Sequence, residues 1–278
     1  MALGFRRLSI IDVDGGHQPI SNETRDIHLI CNGEIYNSPV LRRRLEKEGH
    51  RFRSRSDVEV ILHLYESLGT SCVDHLRGMF AFAIWDERDG SLLLARDHMG
   101  QKPLFFAEVG GRFLFASEIQ ALLASGVIDR ELNIEGLWHY LSLRALPDDL
   151  TLLRTVKKLP AASFLTRSRD GALSVHRYWD PRFEPKLKMG EHDAVDALEE
   201  RLKETVKSHL LSDVTVGAFL SGGIDSTTIS AMAAREQEAP LPVFCVGVEE
   251  ASFNELPTAR KVADSENMRF FVRRALAD

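Results

Sequence analysis

Residues 214–226 read VTVGAFLSGGIDS. The apolar run predicts a buried strand over Val214–Leu220, and the helix-compatible TTISAMAAR begins at Thr227. Between them lie Ser221, Gly222, Gly223, Asp225 and Ser226. A strand, a loop of small residues and a helix N-terminus together make an anion-binding device. The glycines let backbone N–H groups approach an oxyanion, the hydroxyls of Ser221, Ser226 and Thr227 add donors, and the helix dipole favours negative charge. No Gly-Lys-Ser/Thr follows, so this is not a Walker-type loop. Asp225 offers a carboxylate oxygen of the kind that ligates Mg²⁺. Taken alone, the same loop also reads as a plain glycine turn; the strand before it and the helix after it favour the anion site.

These residues need a scaffold, and the chain is long enough for about two domains. Its 278 residues are 44% hydrophobic and 27% charged, with a formal net charge of -6, which is ordinary globular composition without the basic stripe of a nucleic-acid binder. No apolar run reaches the ~18 residues of a membrane span, and MALGFRRLSIID lacks the layout of a signal peptide. Cys31, Cys72 and Cys245 are widely spaced without CxxC or His pairing, and read as reduced, partly buried thiols of a cytoplasmic protein.

The first half predicts antiparallel β-structure with a few helices. LSIIDV (8–13) and IHLICN (27–32) are strand-like. Ser38-Pro39 opens a helix that Gly49 closes. Val58, Ile61, Leu62 and Tyr65 share helical spacing, with Gly69 as C-cap. Strands follow at 79–86, 91–97, 104–109 and 112–117, joined by Asp89-Gly90 and Gly110-Gly111 hairpin signals. After RYWD (177–180) the composition turns to prolines and basic residues, read as a linker. A helix near His192, the strand–loop–helix above, the strand LPVFCVGV (241–248), the helical ARKVADSEN and the strand-like MRFFVRRAL then argue for a parallel α/β sheet.

In order along the chain, RRLSIID, GGHQPI, CNGEIYN, SDVEVILHLYE, LRGMFAFAIWD, LLLARDHMGQKPLFF, FASEIQALL, KLPAASFL, RYWD, SDVTVGAFLSGGIDS and EASFNELPTAR resemble the glutamine-hydrolysing asparagine synthetases. SGGIDS itself resembles the PP-loop of the ATP pyrophosphatases, which cut ATP between its α- and β-phosphates. The resemblance implies an α+β N-terminal-nucleophile-type glutaminase domain of layered antiparallel sheets and helices, followed by an incomplete α/β PP-loop domain. The boundaries expected from it are 1–165 for the glutaminase, 166–190 for a linker and 191–278 for the first part of the synthetase. It implies release of ammonia from glutamine, activation of aspartate as β-aspartyl-AMP by ATP and Mg²⁺, and displacement of AMP. Partners implied are glutamine, ATP and aspartate or another acid, with no nucleic acid and no membrane. A homodimer is the assembly considered for the full-length parent.

Residue by residue, the family pattern puts Arg7 on the glutamine α-carboxylate, Asp57 on its α-ammonium with help from Glu34, and Asn32 and Gly33 in an oxyanion hole. Each has a plainer reading: Asp57 stands where a helix N-cap belongs, Asn32-Gly33 could form a turn, and Arg7 could be a surface charge. Cys31 reads as a packed small residue rather than a nucleophile. In the second half, Ser221, Gly222, Gly223, Asp225 and Ser226 are placed on pyrophosphate, with Asp225 on Mg²⁺, and Phe219, Val246 and Gly247 beside the nucleotide. Core packing is the alternative for Phe219 and Val246. Glu255 matches a recurrent family acid without an assigned role.

The chain also departs from that pattern. The family nucleophile is a cysteine at the mature N-terminus, and here Ala2 follows Met1. The expectation is therefore a chain truncated at both ends and inactive as it stands. Phe5 replaces the usual His, Thr215 the usual Pro, PAAS the usual PPGH, and ENMRFFV a GTxHHE-like run. A related amidotransferase acting on another acid (in exopolysaccharide, peptide or β-lactam-type biosynthesis) and a non-catalytic scaffold are the competing readings.

Overall fold

A computed structural model describes residues 1–147, 149–247 and 254–274. The chain divides into two compact units, Met1–Phe183 and Glu184–Asp278.

The first unit runs β1 (Ile20–Ser21), β2 (Ile27–Ile35), α1 (Ser38–Lys47), α2 (Glu59–Leu68), β3 (Gly78–Asp86), β4 (Ser91–Arg96), β5 (Phe105–Val109), β6 (Arg112–Ala116), α3 (Ile119–Ala124), α4 (Ile134–Leu143), β7 (Val156–Lys158), β8 (Ser163–Arg167) and β9 (Leu173–Arg177). A six-stranded antiparallel sheet has the order β1-β2-β3-β4-β8-β9, and a three-stranded one β6-β5-β7. Strand periodicity sorts side chains to opposite faces. On one face Leu29, Cys31, Ile35, Phe80, Phe82 and Ile84 pack with Leu41 and Leu45 of α1 and Ile61 and Leu64 of α2. On the other, Ala81, Ala83, Leu94 and Leu165 pack with Leu104 and Phe106 from the smaller sheet. The outer face of that sheet holds Ala107 and Val156 against Leu122 of α3. The result is a helix–sheet–sheet–helix stack. It explains why MFAFAIWD is apolar almost throughout, since β3 is covered on both faces.

Several expectations need correcting here. LSIIDV (8–13) forms no strand: Arg7 donates from Nη1 to the Asp12 carbonyl (2.8 Å) and from Nη2 to the Ile11 carbonyl, which curls the segment into a loop. Asn32-Gly33 is not a turn but the middle of β2, paired with Ala81 and Phe80. The linker expected at 166–190 begins too early, because β8 and β9 both belong to the first unit's sheet.

The second unit runs α5 (Glu191–His209), β10 (Ala218–Phe219), α6 (Ile224–Arg235), β11 (Pro242–Gly247), α7 (Leu256–Ser265) and β12 (Arg269–Arg274). Its strands lie parallel in the order β10-β11-β12, as the alternation of strand and helix predicts. The ends of the strands expected at 241–248 and 268–276 lie partly outside the described residues. The strand expected over Val214–Leu220 is cut to two residues. Gly217 sits against the Phe244 ring and the Pro242 carbonyl, where an added Cβ would lie 2.9 Å from each, and no strand pairs with 214–217. One face of this sheet packs Val243 and Cys245 against Ala233 of α6 and Ala259 and Ala263 of α7. The other carries Phe219 (82% exposed), Phe244, Val246 and Phe271 toward solvent, so Phe219 and Val246 are not core. A sheet covered on one face buries less apolar surface per backbone hydrogen bond. Amides of β11 are accordingly expected to exchange at least ~10-fold faster than those of β2–β4 by native-state hydrogen exchange; equal protection would refute this ranking.

Candidate functional site

Arg7, Asn32, Gly33, Glu34 and Asp57 all line one cavity of about 490 Å³ in the first unit. The backbone of β2 dictates how they face it. Asn22 N–H donates to the Ile27 carbonyl (3.2 Å), and Cys31 N–H to Gln18 Oε1 (2.6 Å), so the odd residues of β2 turn their amides to the β1 edge. Ile35 N–H likewise donates to Asp57 Oδ2 at 2.7 Å. Gly33 lies midway, and the antiparallel alternation points its N–H to that same edge. The far side agrees: Phe80, opposite Gly33, uses its N–H and carbonyl on Asp97 (3.2 and 2.8 Å) in the direction of β4. Because β1 begins only at Ile20, the Gly33 amide opens into the cavity, bracketed by Gln18 and Asp57.

The even residues Asn32 and Glu34 share the opposite face from Cys31 and Ile35, which points both side chains away from the helices. Gly33 has no room for a side chain, since a Cβ would lie 2.2 Å from the Met79 carbonyl and 2.6 Å from Phe80 Cα. Asp57 is not the N-cap of α2; that position is Val58, and the carboxylate is spent on β2 instead. Burial pushes the Asp57 carboxyl up to about 6, opposed by its hydrogen bond from Ile35 N–H. The Arg7 guanidinium reaches the cavity while holding the 11–12 carbonyls.

Among the residues lining this cavity that sequence reasoning did not single out are Gln18, Lys102, Ser117 and Glu118. Lys102 arrives on a loop organised by two buried neighbours. Asp97 accepts from Met99, Gln101 and Lys102 N–H, and Arg96 donates to the carbonyls of Gly100, Lys102 and Leu159. The Arg-Asp of LLLARD was the visible signal, because a buried ion-bearing pair beside a glycine turn usually organises a loop. A second cavity of about 680 Å³ opens between the two sheets and shares Gly4, Phe5, Cys31, Asn32 and Ser117 with the first. Cys31 itself is 2% exposed, and burial pushes its thiol far up. Burial also raises the thiols of Cys72 and Cys245, so none of the three is a thiolate at neutral pH.

In the second unit, Ser221, Gly222, Gly223, Asp225 and Ser226 form the junction of β10 and α6, with Gly223 as N-cap. Ser221 Oγ and Ser226 Oγ lie 2.8 Å apart, and Ser226 Oγ also accepts from Ser221 N–H (3.3 Å) and donates to the Gly223 carbonyl (3.2 Å). Gly222 has φ of +84°, and a Cβ there would meet Ala259 N at 2.9 Å and Thr258 Cβ at 3.0 Å. Glycine is therefore required both by conformation and by the approach of α7. Thr227 Oγ1 is buried with no hydrogen-bond partner among the described residues. Asp225 is exposed in the first turn of α6. Val246 (59% exposed) and Gly247 end β11, at the same carboxyl edge of the sheet as the loop. Exposed Glu255 stands at the N-cap of α7 and raises the nearby Cys245 thiol by its charge. The Asp225 carboxylate and the Ser221 and Ser226 hydroxyls are all oxygen donors around the start of α6, the ligand type that suits Mg²⁺ on a phosphate.

The model of the glutamine amidotransferase domain matches residues 1–179 of the 278. The chain belongs to the glutamine amidotransferase domain family. Residues 197–272 match the model of asparagine synthase. The glutamine-hydrolysing asparagine synthetase 1 of Bacillus subtilis (strain 168) is 40% identical over 263 residues, 95% of this chain and 41% of that protein. Asparagine synthetase 3 of the same strain is 40% identical over 254 residues, 89% of this chain and 41% of its own length. Amidase chry2 of Gibberella zeae is 36% identical over 239 residues, 84% of this chain and 34% of that protein. The chain thus spans about two fifths of the length of the first two relatives. Its first unit matches a glutamine amidotransferase domain, and part of its second matches asparagine synthase.

Proposed function

We propose that this chain supplies two sites of an ATP-dependent amidotransferase: a glutamine pocket in the first unit and an adenylating pyrophosphate loop in the second. The observation that carries the first is the Gly33 amide, opening into a cavity between Gln18 and Asp57 and beside the Asn32 side chain. Glutamine enters with its α-ammonium on Asp57 and Glu34 and its α-carboxylate on Arg7. Its carboxamide oxygen then meets two donors, the Asn32 side-chain amide and Gly33 N–H. The Gly33 amide is fixed by the β2 backbone before substrate arrives, so negative charge on that oxygen during thiol attack meets a donor that needs no reorganisation. None of Cys31, Cys72 or Cys245 serves as the attacking thiol, given their burial.

In the second unit, Ser221, Gly222, Gly223 and Ser226 hold the β- and γ-phosphates of ATP at the N-terminus of α6, with Phe219, Val246 and Gly247 beside the adenosine. Mg²⁺ on Asp225 would neutralise the departing pyrophosphate. Asparagine formation from aspartate is the favoured overall reaction, because the synthetase-like relatives are the more similar. The likeness to a fungal amidase favours, as a second reading, amidation of a different acid on the same two sites.

The nucleotide half is tested by product analysis on the full enzyme that carries this chain. ATP turnover with glutamine and aspartate is expected to give AMP and pyrophosphate in equal amounts. ADP and phosphate as main products would refute the loop assignment. For the other half, Cys31→Ser is expected to leave glutamine affinity within about 2-fold, since a buried thiol behind β2 offers the substrate nothing.

A further inference from the structure

We propose that Gln18 is a positioning residue for the oxyanion donors: its side chain replaces a missing piece of β1 and sets where the Gly33 amide points. This rests on the glutamine pocket proposed above. Strand β1 pairs with β2 in the register Ile20↔Leu29 and Ser21↔His28. Extending that antiparallel register places residue 18 opposite Cys31. No backbone ladder forms there, because β1 begins at Ile20. Instead the Gln18 carboxamide makes both bonds of a ladder pair. Nε2 donates to the Cys31 carbonyl (3.1 Å), and Oε1 accepts from Cys31 N–H (2.6 Å).

The substitution has a geometric consequence. A continued backbone strand would run on past Cys31 and cover the next edge amide, which is Gly33. A side chain ends after one pair, so the edge is held at Cys31 and left open two residues later. Asp57 fixes the far side through Ile35 N–H at 2.7 Å. The Cys31–Ile35 segment is therefore pinned at both ends by side chains, with the Asn32 side chain and Gly33 N–H between the pins. Gln18 also lines the cavity, so loosening it moves the donors relative to the bound carboxamide without touching the groups assigned to the amino-acid end of the substrate.

The test uses the 278-residue chain and two ligands, L-glutamine and L-2-aminopentanoate, which keeps the amino-acid end but has no carboxamide. Gln18→Met keeps the length and removes both bonds to Cys31. Its glutamine dissociation constant is expected to rise about 10-fold, the scale of losing oriented hydrogen bonds. Binding of 2-aminopentanoate should stay within about 2-fold of wild type. Gln18→Glu, which keeps the acceptor for Cys31 N–H and loses the donor, should fall between the two. Amide exchange at Cys31 should quicken in Gln18→Met while Leu29 stays protected, which reports folding independently. Equal weakening of both ligands, or unchanged glutamine binding in a folded Gln18→Met, would overturn the role given to Gln18. Failure of the wild-type chain to prefer glutamine over 2-aminopentanoate would overturn the pocket itself.

Discussion

Asp57→Asn is expected to weaken glutamine binding about 50-fold while making the folded protein more stable at pH 8. The two effects share one cause. Asn keeps an oxygen to accept Ile35 N–H, so β2 stays in place, but the negative charge that would hold the α-ammonium is gone. Loss of a charge-assisted bond of roughly 2–3 kcal/mol gives that fold-change. Burial raises the carboxyl from 3.8 to about 6. The folded state therefore holds this proton more tightly than the unfolded chain does. The associated stability is fully present below pH 3.8 and is lost as pH rises through about 6. At pH 8 the ionised carboxylate costs the fold roughly 3 kcal/mol, which the amide does not. Wild-type affinity for glutamine should also fall as pH drops through about 6, whereas the Asn variant should be flat across that window. Calorimetric titration from pH 5 to 8 with urea denaturation at both ends checks both. Equal pH profiles in the two proteins would mean that another group binds the ammonium.

The second large effect belongs to Asp225. In the full enzyme, Asp225→Ala should abolish ATP-dependent AMP formation, a loss of at least about 1,000-fold if the carboxylate holds the metal at the leaving pyrophosphate. Glutamine hydrolysis should be retained, because the Asp57 cavity is built wholly from the first unit. Stability should change by less than about 0.5 kcal/mol, as Asp225 is exposed. Loss of both activities in a folded variant would contradict the separation of the sites.

Much of this was legible in the residues. Alternation of strand and helix after Gly190 gave the parallel sheet, and Asp89-Gly90 and Gly110-Gly111 gave two hairpins that the structure contains. A loop does lie between a strand and a helix at Ser221, but α6 begins at Ile224 and not at Thr227, so Asp225 and Ser226 stand in its first turn. Less legible were groups whose role depends on register. Gln18 looks like a surface amide until strand pairing sets it opposite Cys31. Asp57 looks like a helix cap, since Asp before an amphipathic run is the usual signature, and a tertiary partner, Ile35 N–H, outcompetes that local use. Strands β7 and β9 escaped notice because β7 has only three residues and β9 is exposed along its whole length, so neither carries an apolar pattern. Core packing, the alternative weighed for Phe219, fails because hydrophobicity does not tell which face of a sheet is covered.

The most direct test of two separate sites is a pair of additions to the ¹⁵N-labelled chain, followed residue by residue. Glutamine should shift the amides of Gly33 and Ile35 and the Asn32 side-chain amide while leaving Ser221–Thr227 unmoved. Magnesium pyrophosphate should shift Ser221, Gly222, Gly223 and Ser226 and leave β2 unmoved. Glutamine shifts confined to other residues, or pyrophosphate shifts that spare the β10–α6 loop, would contradict the account.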